Sequence, residues 1–352
     1  MVAAVFAMQG VGILVGALIC LLSLAIFKPN LDTAPGSLYN PMFDDVWRLL
    51  LFLGIIPAIL AVYWRLQVPE TPRFTAAVGG DAEAAMKDVH NVVGQMGESA
   101  NAVSTTKPMA LSPSEHGYLQ EKYAHLTFGQ VFGNWKNGKI LFATAAAWCL
   151  LDIGFYGVQL NQSSIITQLG YGTGSTAFDY FWSVAIGNFI VTLCGAAPGY
   201  WFTVFTIEKL GRKVIQIGGF AILSVIFIIM TIFWDTLKGT TGFFVLYVAA
   251  NFFFNYGPNS TTFIIPAELY PTRFRSTCHG ISAAAGKAGA IAAAFGFDQM
   301  RGANNEHMVT VLAIFSVCMI AGTAVSFLIP ETKGKTLEEL GDLFYSEEVV
   351  SK

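Results

Sequence analysis

Charge is scarce in this chain. Only 12% of its 352 residues are Asp, Glu, Lys or Arg, about half of what a soluble domain carries. Histidine is rarer still, with five in all, and no HExxH or His cluster occurs, so the sequence offers no zinc hydrolase site. The GxSxG and GxxxxGK[ST] patterns are missing as well, which removes a nucleophile elbow and a P-loop. The five cysteines (Cys20, Cys149, Cys194, Cys278 and Cys318) lie within or at the ends of apolar segments, without a CxxC pair. They give neither a disulfide framework nor a metal site. The expectation is a protein that is not an enzyme, with no cofactor, no metal and no nucleic-acid partner.

What the chain has in excess is long apolar runs. Hydrophobic residues make up 54% of it, and mean hydropathy is +0.55. The runs approach the roughly 20 residues that cross a bilayer as a helix. They do not alternate as barrel strands must. Eight spans are expected, at 2–27, 47–67, 139–169, 178–204, 214–234, 242–265, 277–297 and 308–329. The first has no basic n-region and no cleavage site, so it reads as a span rather than a signal peptide. The fold class is an all-α polytopic membrane protein, with the lipid bilayer as its surroundings.

Lysine and arginine fix the expected orientation. One set of connections carries Arg65, Arg73, Lys87, Lys107, Lys122, Lys136, Lys139, Lys209, Arg212, Lys213, Arg273, Arg275, Lys333, Lys335 and Lys352; the alternate set has only Lys28, Arg48, Lys238 and Arg301. The first set is therefore expected on the cytoplasmic side, with both termini. The stretch 68–138 becomes a cytoplasmic insertion. Within it Met86, Val89, Val93 and Met96 have helical spacing. Phe128, Val131, Phe132 and Trp135 recur at i, i+3, i+4 and i+7 and suggest an interfacial helix anchored by an indole. The tail TLEELGDLF reads as another amphipathic stretch.

The remaining basic residue, Lys287, falls in mid-span within SAAAGKAGAIAAA. Asp152 has the same problem in the third span, about 20 Å from its cytoplasmic end at 1.5 Å per residue. A charge at that depth costs about 3 kcal/mol on the lenient insertion scale. The two could neutralise each other as a structural pair. The alternative is a substrate or proton site. Spacing favours the site, because Trp148, Asp152 and Tyr156 stand at i, i+4 and i+8, on one helix face. Asn251, Asn255 and Asn259 repeat that spacing in the sixth span. Asn251 suits helix–helix hydrogen bonding, while Asn259, beside the break that Pro258 imposes, suits a ligand. The small residues around Lys287 let helices approach closely. One fixed cation, several neutral donors and one ionisable acid suit a small oxyanion, with the acid as proton carrier.

Motifs along the chain resemble a known family. VPETPRFT, EKLGRK and PETKGKTLEEL resemble the major facilitator superfamily at large. LLDIGFYG, PGYWFT, NYGPNSTTFIIPAELYPTRFRSTCHGISAAAGKAGA and AMQG together resemble the proton-coupled inorganic phosphate symporters of fungi and plants. That resemblance implies two six-helix bundles working by alternating access around a central site. The eight spans match helices five to twelve of that fold. An N-terminally incomplete chain is therefore expected, with Met1 just inside helix five and no full transport cycle alone. Residues 1–67 then hold the last two helices of the first bundle and 68–138 the loop between bundles. Residues 139–330 form the second bundle and 331–352 a cytoplasmic tail. The resemblance further implies phosphate ligands at Gln9, Trp148, Asp152, Tyr156, Asn259 and Lys287, with Asp152 exchanging the proton.

The leading expectation is phosphate:proton symport in a membrane, the plasma membrane by implication. Phosphate and protons are the partners, with a full-length homologue as a further one. Arg212, Lys213, Glu268, Arg273 and Arg275 are assigned to cytoplasmic gating, with solvated surface charge as the bland alternative. A sugar or organic-solute porter shares the PET and GRK motifs, but Lys287 beside an acid argues against a neutral sugar. A non-transporting phosphate sensor or regulatory fragment is the alternative from another class.

Overall fold

The computed structural model describes residues 2–31, 42–68, 75, 87, 125–302 and 307–345. Among them every regular element is helical. In chain order these are α1 (Val2–Leu31), α2 (Met42–Gln67), α3 (Phe128–Phe132), α4 (Trp135–Gln159), α5 (Gln162–Thr167) and α6 (Ala177–Leu210). There follow α7 (Arg212–Ile232), α8 (Trp234–Leu237), α9 (Thr241–Asn255), α10 (Pro258–Leu269), α11 (Thr272–Arg301), α12 (Met308–Ser326) and α13 (Leu337–Asp342). The helix expected around Met86, Val89, Val93 and Met96 lies outside the described residues.

Seven of these helices are long and apolar enough to cross a membrane. The stretch 242–265, expected as one span, is two helices instead. Pro258 has no N–H, so the fourth-residue hydrogen bond fails there. Beside the break, the Asn255 carbonyl accepts from two hydroxyls, Thr203 at 3.0 Å and Ser260 at 2.8 Å. The third span breaks where its polar end suggests, with α4 stopping at Gln159 and α5 starting at Gln162. A π-helical turn at Thr192–Ala196 interrupts α6.

The chain divides into two compact units. The first comprises Met1–Ala58, Phe142–Ile265 and Ile281–Lys333. In it α7 lies along α12, joined by Gln216 Nε2 donating to Ser326 Oγ at 2.9 Å and by the Phe227–Phe315 ring pair. Small residues set the closest approaches. Gly195 and Gly199 of α6 face the backbone of α9, and Gly286 and Gly289 of α11 face Trp148 and Cys149 of α4. Thr144 and Ser282 share a hydrogen bond at 2.9 Å across the α4–α11 contact. Asn251 serves as expected for a helix-joining amide, accepting from Gln159 at 3.0 Å.

The second unit comprises Ile59–Leu141, Pro266–Gly280 and Gly334–Lys352. Its core is aromatic, with Phe132 among Tyr270, Phe274 and Phe344. The amide of Asn137 donates to the carbonyls of Val131 and Phe344, both at 2.9 Å. Thr336 and Glu339 form a capping box at the start of α13. Burial pushes the Tyr345 phenol up to about 12, with the Arg273 guanidinium acting in the other direction. In this unit the helix expected to run from Phe128 to Trp135 is broken in two. Val131 and Phe132 are buried in protein, α3 stops at Gly133, and Trp135, 74% exposed, opens α4 instead. The Asn134 side chain, which accepts from Lys136 N at 3.0 Å, starts the new helix and divides the pattern.

A Cβ added at Gly199 would sit 2.5 Å from the Phe252 carbonyl oxygen, whereas Gly218 faces open space. Backbone cannot yield as a side chain can. Gly199→Ala should lower the stability of the purified chain by about 1–3 kcal/mol. Gly218→Ala, also helical, should leave it unchanged or slightly raised, as thermal unfolding in detergent would show.

Candidate functional site

α4 and α11 cross where small residues permit it, and that crossing brings Lys287 to Asp152. Lys287 sits between Gly286, which packs on the Trp148 indole, and Gly289, which packs on the Cys149 carbonyl. Its Nζ lies 3.6 Å from Asp152 Oδ2, within ion-pair range but too long for a hydrogen bond. It donates to Tyr156 Oη at 3.0 Å and stands 4.7 Å from the Tyr156 ring centroid. The pair is lopsided. The Asp152 side chain is 2% exposed and the Lys287 side chain 60%. Asp152 Oδ2 has no hydrogen-bond partner. A self-neutralising structural pair would close both charges against each other and satisfy the remaining lone pairs. Here the cation stays open and the acid keeps an unused acceptor.

The second wall comes from α6 and α10. Asn259 Nδ2 donates to Tyr200 Oη and to Asn255 Oδ1, each at 2.8 Å. One turn on, Phe263 meets the Trp148 indole edge-on at 6.2 Å and stacks on Phe6 at 4.8 Å. Phe6 also meets Tyr200 at 5.8 Å. The two walls therefore share an aromatic seam, and α1 is part of it through Phe6. Gln9 lies three residues from Phe6 on the same helical face, next to Gly10, which packs on Tyr200. Gln9 itself is exposed. Trp148, Asp152, Tyr156, Asn259 and Lys287 thus line one connected region. Gln9 approaches it without a hydrogen bond to the other five.

Tyr200 was not among the expected site residues. Its signal was the PGYWFT motif, a lone tyrosine in an apolar span, and a phenol in such a place is more often packing than ligand. Its role depends on Asn259, which is 59 residues away.

The basic residues assigned to gating separate into two groups. In the first unit, Arg212 is 8% exposed, and its guanidinium takes both Glu208 oxygens, at 3.0 and 2.7 Å. Solvated surface charge does not describe it. The backbone N–H groups of Arg212 and Lys213 both donate to the Glu331 carboxylate at 3.0 Å. That carboxylate therefore caps the start of α7, where the helix dipole favours an anion. Gly211 has φ +97, and its Cα faces the same carboxylate, so only glycine suits the turn. Lys213 Nζ donates to the Phe327 carbonyl at 2.8 Å, and Lys333 Nζ to that of Lys209 at 2.6 Å. Glu331, the acid of PETKG, was missed as the hub because its partners are backbone amides, which no motif spells out. In the second unit, Arg273 donates to the Leu126 carbonyl at 3.3 Å. Arg275 donates to the Tyr270 carbonyl at 3.1 Å. Glu268 belongs to the same unit.

The profile of the sugar (and other) transporter family matches residues 1–344. The chain is 40% identical to a repressible high-affinity phosphate permease of Neurospora crassa, over 98% of this chain and 62% of the relative. It is 37% identical to an inorganic phosphate transporter of Saccharomyces cerevisiae, over 98% of this chain and 61% of the relative. A probable inorganic phosphate transporter of Arabidopsis thaliana is 39% identical, over 100% of this chain and 67% of the relative. The chain thus spans about 61–67% of the length of these relatives. Among solved structures, a proton:xylose symporter bound to 6-bromo-6-deoxy-D-glucose superimposes with a TM-score of 0.66 at 19% identity. That match covers 94% of this chain and 67% of the other, and it shows the fold alone.

Replacing Glu331 with Ala removes the acceptor for two helix-start amides and loosens α7 from the chain after α12. The expected loss is about 1–2 kcal/mol, read as a lower melting temperature. Glu331→Gln, which keeps one acceptor oxygen, should recover part of it.

Proposed function

The chain belongs to the sugar (and other) transporter family of the major facilitator superfamily, an integral membrane family, and from that premise we propose that it binds inorganic phosphate as part of a phosphate:proton symporter. One observation carries this reading: a buried carboxylate held 3.6 Å from an ammonium that stays open. Lys287 supplies the charge that attracts the anion, and Tyr156 holds its Nζ in place. Trp148 and Gln9 contribute neutral donors, and Asn259 a directed amide. Asp152 is the exchangeable proton carrier. As a carboxylate it pairs with Lys287. As an acid it releases Lys287 to the anion, so proton and phosphate enter together. This alternation needs only the carboxyl to gain a proton when the anion takes its cation.

The gating assignment extends this reading. Arg212 and Lys213, tied through Glu331, fasten the cytoplasmic end of α7 to the end of α12, and Glu268, Arg273 and Arg275 are assigned to cytoplasmic gating within the second unit. Residues 139–330 form the complete second bundle, 1–67 the last helices of the first, 68–138 the cytoplasmic connection and 331–352 the tail. Both termini face the cytoplasm, and the plasma membrane is the proposed location. The xylose symporters share the fold, but a fixed cation beside an acid has no use for a neutral sugar. A phosphate sensor of this family would keep the binding and lack the uptake.

Two substitutions test the reading. Lys287→Ala should weaken phosphate binding by tenfold or more while shifting the melting temperature little; unchanged binding would make the lysine structural. Asp152→Asn should retain part of the phosphate binding but lose the pH dependence that exceeds phosphate's own titration. The groups near Asp152 that could contribute to that dependence are Lys287, Tyr156 and Cys149. Isothermal titration across pH separates them, since an identical pH profile in the Asn variant would remove Asp152 from proton coupling.

A further inference from the structure

The Asn259 amide is held in one orientation by its neighbours. Asn255 Nδ2 donates to the backbone carbonyl of Asn251 at 2.8 Å, an oxygen that can only accept. That contact settles which end of the Asn255 amide is nitrogen. The end facing Asn259 is then Asn255 Oδ1, again an acceptor only. The Asn259 atom opposite it must be a donor, Nδ2, and its second hydrogen goes to Tyr200 Oη. Both amide hydrogens are therefore used. Asn259 Oδ1 receives no hydrogen bond from any described residue, yet it is not sealed off from open space, although the residue is only 8% exposed. What Asn259 offers a ligand is an acceptor.

We propose that Asn255 is a positioning residue that locks Asn259 with its carbonyl oxygen toward the ligand, Tyr200 taking the remaining amide hydrogen, so that the site admits oxyanions bearing protons and rejects those bearing none. The inference rests on the phosphate reading above and deepens it. Asp152, protonated when the anion takes Lys287, still offers one carboxyl oxygen as a second acceptor, and its Oδ2 is unpartnered. Two acceptors and a single fixed cation match a singly charged anion with two hydroxyls, which is dihydrogen phosphate. Sulfate has the same shape but carries no proton at neutral pH. Its oxygens would face Asn259 Oδ1 with no hydrogen between them, and a buried acceptor left unpaired is costly. Sites built to bond one hydroxyl reject analogues that lack it far more strongly than apolar pockets discriminate by size.

The test uses the full chain in lipid nanodiscs, titrated with phosphate and then with sulfate as competitor. The wild type should hold phosphate against a hundredfold excess of sulfate. Asn255→Leu removes the acceptor that fixes the amide, so Asn259 can turn over and present its hydrogens, and the preference for phosphate over sulfate should narrow by tenfold or more. Asn255→Ala, which removes the same acceptor with a smaller side chain, tests the idea if Asn255→Leu fails to fold. Tyr200→Phe leaves Asn255 Oδ1 in place and should keep most of the preference. Retained phosphate binding with an unchanged preference in the folded Asn255 variant would overturn the lock, as would wild-type sulfate binding equal to phosphate. A wild type that binds neither anion would overturn the phosphate reading itself, and the lock with it.

Discussion

A carboxylate sealed inside the helix packing, with its paired cation Lys287 open on the other side, is the constraint around which the first unit is arranged. Coulomb attraction at 3.6 Å holds the pair together only because little water reaches Asp152. The geometry that achieves this is made by residues with almost no side chain. Gly286 and Gly289 let α11 close on α4, and the lysine between them is thereby aimed at the acid. Larger residues at those glycines would separate the helices, and the charge in α11 would lose its partner.

The rest of the site is polarity organised by broken helices. Pro258 interrupts the ladder between α9 and α10, and beside the break the Asn255 carbonyl takes hydroxyls from Thr203 and Ser260. The same break puts Asn259 at the first turn of a new helix, where Asn255 and Tyr200 can reach it. A continuous span would have satisfied its own backbone and offered a ligand nothing. The seam of Phe6, Phe263 and Trp148 then joins this polar corner to the charged one.

Much of this was legible in the sequence because membrane chains must justify each polar residue. Asp152 and Lys287 were visible as charges at depth, and Trp148, Asp152 and Tyr156 as one face by their spacing. The amide series in α9 and the break at Pro258 were readable for the same reason. Spacing cannot show which helices meet, so Tyr200 and Glu331 escaped notice; each acts on a partner far along the chain. The pattern from Phe128 to Trp135 misled for a local reason. Its helical period runs across Gly133 and Asn134, which end one helix and cap the next. Val131 and Phe132 of that pattern are buried in protein, while Trp135 is exposed.

The account depends on the ammonium of Lys287 being occupied by phosphate, and its exposure makes that directly measurable. An amine-reactive label applied to the intact chain in nanodiscs, with peptide mapping, reports each lysine's access. Phosphate should protect Lys287 in a saturable way while leaving the exposed Lys238 labelled as before. Equal labelling of Lys287 with and without saturating phosphate would contradict the account, and would leave the Asp152–Lys287 pair as an element of structure only.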